Sequence, residues 1–375
     1  MRWGDLAGSH ADRPRFEGHV VGLAVTLLAL VATARAQGPG LPSPAPPRDL
    51  ASIVDETEPN MEPLFPQPLS IAPSFGAGGR PVPIAPGIEM GLLDTVTESL
   101  FGDVYAEGRW RPLSLSTFFS EGWLEPWASA PAGQDGLTPR HGWRGAFDGV
   151  FYRLWLATFG YSNSITAPYG GNRYSGTYTI FLPFSRRFEI VMNVPFVVAN
   201  GTKDPMRGYT SEFGDLAVAP RFLLSETAAT SQVFALGIRT PTGTTATGNG
   251  IMSLVPAYEF WTNPGGPWVV RGSTGLSVPL NKNQAPAENA FVGGLAAGRY
   301  FTPHDALFGD LVFYLDTNFT VPLDSGARRN TLFSLGPGTR FHIADNWFFL
   351  YNWEFPITGN RPNTYTMQVA LLKEF

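Results

Sequence analysis

The sequence contains no cysteine, which excludes disulfides, thiolate metal sites and cysteine nucleophiles. Charge is scarce too: 15% of residues are Asp, Glu, Lys or Arg, against about 25% in an ordinary globular protein. Mean hydropathy is nevertheless near zero, at −0.03, so apolar and small polar residues must be finely interleaved. No apolar run reaches the roughly 20 residues that a membrane-crossing helix needs. A net charge of −5 gives no basis for binding nucleic acid. What the chain has in quantity is turn-forming and aromatic residues: 42 Gly, 34 Pro, 28 Phe, 12 Tyr and 10 Trp. So many aromatics argue against a disordered chain.

The first 36 residues read as a signal peptide. Val20–Ala34 is apolar apart from Gly22 and two Thr, and Ala34-Arg35-Ala36 follows as a small-x-small cleavage site. About fifteen residues suit a secretory core and are too few to span a bilayer. From 37 to 90 the chain carries 13 Pro, too many to join a helix or a sheet interior, and is expected to be a disordered linker. Residues 91–148 form an aromatic-rich periplasmic segment or plug. Leu92, Leu93, Val96, Leu100 and Phe101 recur at helical spacing, which predicts one short helix over 92–101. Trp110, Phe118, Phe119, Trp123, Trp127 and Trp143 follow and need a surface to bury against, packing under or inside the next domain being one expectation.

Residues 149–375 alternate with period two in twelve runs: 149–161, 173–184, 187–199, 213–224, 232–242, 250–261, 267–280, 289–302, 308–322, 330–343, 346–357 and 363–375. In one run Leu311, Phe313, Leu315 and Phe319 share a face opposite Asp316 and Asn318; in another Trp347, Phe349, Tyr351, Trp353 and Phe355 oppose Asn352 and Glu354. Nine to eleven tilted residues cross a bilayer. Gaps after the even runs are mostly short; those after the odd runs are longer and rich in Gly, Asn, Thr and Pro. Short turns at one end, long loops at the other and an even strand number describe an all-β chain, an antiparallel transmembrane β-barrel of about twelve strands behind a Pro-rich N-terminal extension. Pro220, Pro256 and Pro337 fall inside predicted strands, where local bulges are expected.

Two segments resemble a known family. Gly214-Asp215-Leu216-Ala217-Val218-Ala219-Pro220-Arg221-Phe222, followed by Ala235-Leu236-Gly237-Ile238-Arg239-Thr240-Pro241-Thr242-Gly243, is similar to the paired motifs of the exported barrel family named for the meta-pathway of phenol degradation. The resemblance covers about 174–375. It implies an outer-membrane barrel with a channel-like role, with hydrophobic or aromatic compounds as the suggested solutes, and it brings no catalytic residue.

If the apolar face meets lipid, the opposite face places Glu189, Asp215, Arg221, Arg239, Glu259, Arg271, Arg299, Asp316, Arg340 and Glu354 in the lumen. Both signs occur there, so the charges either pair across strands and fill the barrel or form a selective constriction. Twelve strands lie between the side-chain-filled interior of eight and the aqueous channel of sixteen, so a narrow or plugged pore is expected. Lys203, Arg207, Lys282, Arg328 and Arg329 fall in the long loops and form a cationic outer rim facing lipopolysaccharide phosphates or an anionic solute. The terminal Phe375 resembles the insertion signal read by barrel-assembly machinery. His342 faces the lumen near the short-turn end, eight residues from Ser334 on the same face. That is too far for a nucleophile–base pair, so an enzyme is not expected. No metal spacing or cofactor motif is present. The expected function is passive passage of small molecules across the bacterial outer membrane, the alternative being a structural or adhesive barrel with a closed lumen.

Overall fold

The computed structural model describes residues 85–133, 138–147, 149–163, 172–200, 210–243, 250–281, 288–324, 331–358 and 361–375, all within one compact unit, Gly78–Phe375. The stretches expected to be a signal peptide and, nearly in full, a Pro-rich linker lie outside the described residues, as do Lys203, Arg207, Lys282, Arg328 and Arg329 of the expected cationic rim.

A single closed antiparallel sheet is formed by β1 (Leu154–Asn163), β2 (Arg173–Pro183), β3 (Phe188–Asn200), β4 (Thr210–Glu212), β5 (Ala217–Glu226), β6 (Thr230–Arg239), β7 (Ser253–Gly265), β8 (Trp268–Pro279), β9 (Ala290–Tyr300), β10 (Val312–Pro322), β11 (Leu332–Ala344), β12 (Trp347–Pro356) and β13 (Tyr365–Glu374). Apart from β4 and β5, each strand pairs with its sequence neighbours, and β1 pairs with β13 to close the ring. β4 and β5 pair in succession along β3 and make one interrupted stave, so the barrel has twelve staves. Every period-two run therefore corresponds to a stave. Two start well after their runs do: 149–153 precede β1 and belong to the N-terminal segment, and 308–311 belong to the connection before β10.

The period sorts side chains as an aqueous protein would not. Phe159, Phe291, Phe313, Leu315, Val369 and Leu371 are exposed on the outer face, whereas Glu189, Arg221, Arg271, Asp316 and Arg340 are buried inside. An apolar exterior around a charged interior is stable only in lipid. Aromatics gather on that exterior at the short-turn end. Trp155 meets Trp347 edge-on and stacks on Tyr178, and Lys373 sits with Nζ 5.1 Å from the Trp347 ring. The lysine that interrupts the apolar face of the last strand is thus placed where its head reaches the interface.

The bulges expected at Pro220, Pro256 and Pro337 are not there. Each proline stays paired with the preceding strand, opposite Ile190, Leu236 and Leu315. Toward the following strand the ladder omits the rungs at the proline and the residue before it, then resumes in the same register. A proline lacks one N–H, and that group serves one neighbour only, so an omitted rung suffices and no extra residue is required. A bulge does occur beside Pro195, where Gly176 opposes Val197 and Thr177 opposes Pro195.

The predicted helix forms as α1 (Leu92–Phe101), but its apolar side is not the buried one. Thr95 and Ser99 face the protein, while Leu92, Leu93 and Phe101 are exposed. Ser99 Oγ donates to the Phe184 carbonyl at 3.1 Å, placing the helix against the β2–β3 turn.

Candidate functional site

The N-terminal segment grips the short-turn end and then enters the barrel. Leu113 and Glu226, at the end of β5, exchange both backbone hydrogen bonds, at 2.9 and 2.8 Å. The Glu226 carboxylate accepts from Trp110 Nε1 at 2.8 Å, Arg186 Nη2 at 3.0 Å and Arg140 Nη1 at 3.2 Å. Arg187, in the same tight turn as Arg186, donates to the carbonyls of Leu223, Leu224, Ser114 and Glu121 at 2.9–3.0 Å. Burial, then the neighbouring Arg186, pulls the Arg187 guanidinium down to about 10.

Residues 139–147 and 149–152 run inside the barrel. Trp143 is fully buried and stacks on Tyr314 of β10. Tyr314 Oη donates to the Arg144 carbonyl at 2.9 Å, and Tyr300 Oη to the Pro139 carbonyl at 2.8 Å. Gly149 has φ +80°, and a Cβ there would lie 2.1 Å from the Phe260 carbonyl carbon of β7. Glycine is therefore required both for conformation and for close approach. An apolar collar surrounds the insertion: Leu154, Leu156, Phe181, Val191, Trp261, Val269, Phe348, Leu350 and Leu372 form one core cluster with Trp143, Ala146, Val150 and Tyr152.

The inward charges attach to this segment. Arg221 bonds both Glu189 and Glu259; Glu189 accepts the Tyr152 N–H at 2.6 Å and Glu259 accepts the Gly149 N–H at 3.2 Å. Arg271 has no carboxylate among its described partners. It donates to the Ala146 carbonyl at 2.9 Å, the His141 carbonyl at 3.1 Å, the Arg140 carbonyl at 3.4 Å and Tyr152 Oη at 2.8 Å, with its guanidinium over the Trp143 ring. Cation and segment satisfy each other: a buried guanidinium needs acceptors, and carbonyls within a barrel need donors. Asp316 accepts from Asn318 and Asn352. Arg340 lies between the Phe348 and Tyr300 rings, 3.9 Å from Asp310. Glu354 accepts from Ser334 farther toward the loops. A cavity of about 840 Å³ opens on the short-turn side, bounded by Tyr105, Trp127, Arg140, Tyr152, Tyr300 and Asp310; about 160 Å³ remains near Asn318, Ser334 and Glu354.

Three residues expected in the lumen are placed elsewhere or at its edge. Arg299 lies on the outer face, paired with the exposed Phe313 and Trp268, its guanidinium 5.8 Å from the Trp268 ring and 5.2 Å from the Phe301 ring. β9 is so rich in Gly and Ala that its faces are hard to tell apart, and the arginine reaches the interface along the aromatic rings. Asp215 sits in the link between β4 and β5, where Oδ1 accepts the Gly243 N–H at 3.0 Å and holds the adjacent loop. Arg239 keeps the inward period but is exposed at the loop end of β6. His342 stacks on His304 near the short-turn end, with ring centroids 4.3 Å apart. Glu226, Arg186, Tyr152, Tyr300 and Tyr314 went unrecognised in the sequence, although two adjacent arginines in a tight turn of a charge-poor chain were a usable signal.

Among solved structures, an outer membrane channel from Pseudomonas putida F1 is 10% identical, with 62% of this chain and 98% of that chain covered and a TM-score of 0.48. The NanC porin is 7% identical over 59% of this chain and 98% of its own, with a TM-score of 0.41, and the KdgM porin 8% identical over 59% and 99%, with a TM-score of 0.39. No curated protein matches. The profile of the family described as "Putative MetA-pathway of phenol degradation" matches residues 144–368, well over half of the chain, and the protein belongs to that family.

Proposed function

We propose that this protein is an outer-membrane channel in which the segment 139–152 controls passive passage of small molecules. The observation that carries the reading is the way the lumen is occupied. The barrel's own side chains fill only part of it; a stretch of the N-terminal segment occupies the rest, held by hydrogen bonds and packing and joined to the barrel covalently only where it runs on into β1. Glu189, Arg221, Glu259 and Arg271 then act as the fastening of a plug, and its displacement would expose a charged ring able to select solutes. Short turns mark the periplasmic end of outer-membrane barrels, so the larger cavity is the exit vestibule. Five aromatic side chains at its wall (Tyr105, Trp127, Phe151, Tyr152 and Tyr300) and the family's description support hydrophobic or aromatic solutes.

The many hydrogen bonds that hold the segment favour a second reading, a structural barrel that never opens. Planar-bilayer conductance of the full protein beside Arg271→Gln separates the two. A channel predicts conductance steps that become larger or more frequent when Arg271 no longer holds the Ala146 and His141 carbonyls. Silence from both, with the barrel folded, would reject it.

A further inference from the structure

The short-turn end carries a row of large apolar side chains that the lumen does not use. Leu93 is 80% exposed, Phe101 81%, Phe119 91% and Leu307 85%. In a soluble protein such a set would mark a binding surface. Here it is continuous with the lipid-facing wall. Phe222, next to the inward Arg221, belongs to the outer face and packs on Phe188 and Phe234. Trp123 of the N-terminal segment lies against Phe222 with centroids 6.3 Å apart, Phe118 meets Trp123 edge-on at 5.4 Å, and Phe119 meets Phe118 at 5.0 Å. The aromatic face of the barrel thus runs on without a gap into a segment that is not part of the barrel. The 301–311 connection repeats the pattern: Phe308 packs edge-on against outward Phe341 and Phe301 against outward Phe313.

Helix α1 fits the same plane. Its buried contacts are hydroxyls: Thr95 Oγ1 donates to the Leu124 carbonyl at 2.8 Å and Ser99 Oγ to the Phe184 carbonyl. Arg153 ties the helix end to the barrel seam through the Gly102 carbonyl at 2.9 Å. A helix held by its polar side, with leucine and phenylalanine turned away from the protein, has the form of an interfacial helix lying in the headgroup region.

We infer that α1, the 115–123 stretch and the 301–311 connection form an apolar skirt embedded in the phospholipid leaflet at the short-turn end. The skirt anchors the N-terminal segment to the membrane from outside while 139–152 occupies the barrel from within. This rests on the barrel's lipid-facing wall and is independent of whether the lumen conducts.

The absence of native cysteine makes the test direct. Single cysteines at Leu93→Cys, Phe119→Cys and, as the water-facing control, Asp94→Cys would carry an environment-sensitive fluorophore in the full protein. Each is reconstituted into vesicles of phosphatidylethanolamine and phosphatidylglycerol containing lipids brominated at a shallow acyl position. Probes at 93 and 119 are expected to shift to the blue and lose emission to the brominated lipid, while the probe at 94 is quenched by aqueous iodide. Iodide quenching at 93 and 119 as strong as at 94 would overturn the inference. So would burial without quenching by either agent, because a protein surface would then cover these residues.

Discussion

Trp143 lies flat against Tyr314 inside the barrel, with ring centroids 5.0 Å apart and planes 11° from parallel. One ring comes from a strand and the other from chain that precedes every strand, so their contact couples plug to wall. The same tyrosine hydroxyl accounts for the Arg144 carbonyl, so aromatic packing and polar satisfaction meet at one residue.

Trp143→Ala should therefore loosen the segment and spare the barrel. Truncating a buried tryptophan costs about 3–5 kcal/mol. The strand ladder does not contain Trp143, so the loss falls on docking of 139–152. Cleavage after Arg140 and Arg144 by trypsin in folded protein should rise sharply, while the heat-resistant electrophoretic mobility of the barrel stays unchanged. Equal protection of wild type and variant would show that the ring contact contributes little.

Gly149→Ala is expected to act in the same direction by a different cause. A methyl at this position meets the backbone of Phe260 and Trp261, which cannot move aside within a paired strand. Gly108 has nearly the same positive φ, +79°, yet nothing within 4 Å of a built Cβ, so Gly108→Ala costs only the left-handed strain of about 1–2 kcal/mol. If the two substitutions expose 139–152 to protease equally, backbone strain explains both and close approach at Gly149 is unimportant.

Glu226→Gln removes the charge shared by Arg140 and Arg186, whose side chains are 5% and 1% exposed. Breaking a buried ion pair from one side costs about 3–5 kcal/mol. The Leu113 backbone bridge survives the substitution, so detachment should be partial. Protease sensitivity should appear across 105–133 before it appears in the strands, as read by mass spectrometry of timed digests.

The sequence made the barrel legible because lipid imposes a strict period on the outer face, and strand number followed from it. The inner face was less readable. Near the short-turn end it carries Leu154, Leu156, Val191, Leu350 and Leu372, apolar residues that pack on the plug, so the alternation there is apolar against apolar. Arg299 was misplaced where Gly and Ala erased the contrast between faces. A plug within 91–148 was one of the two expectations, but the residues that enter were not legible: Trp143, Gly145 and Gly149 form no periodic pattern, and their fit depends on residues more than a hundred positions away. The exposed side of α1 was hidden by the usual rule that leucines face inward, which fails at a membrane interface.

The chain terminus offers a test of assembly. Phe375 lies just past β13; its N–H donates to the Arg153 carbonyl at 3.3 Å, and Arg153 Nε donates to the Phe375 main-chain oxygen. Phe375→Ala keeps these main-chain bonds and removes the ring alone. If the terminal aromatic is read by assembly machinery, outer-membrane levels should fall in cells while refolding of purified protein into detergent is unchanged. A fall in both would make Phe375 a structural residue, and no fall would remove it as a signal.

Facing is tested most sharply by two neighbours on β10. Leu315 is 39% exposed on the outer wall and Asp316 is 2% exposed within. An arginine in mid-membrane on the lipid side costs about 2–4 kcal/mol, so Leu315→Arg should lower the yield of inserted barrel in thin-bilayer folding assays. Asp316→Arg places a cation near Arg144, whose carbonyl is fixed by Tyr314 one turn of the pleat away, and takes the acceptor from Asn352. Insertion should be little affected, because the lipid face is untouched, but the plug should be expelled from its seat and trypsin should reach Arg144. Comparable insertion defects in the two variants would mean that the wall at 315–316 is not sorted between lipid and lumen as described.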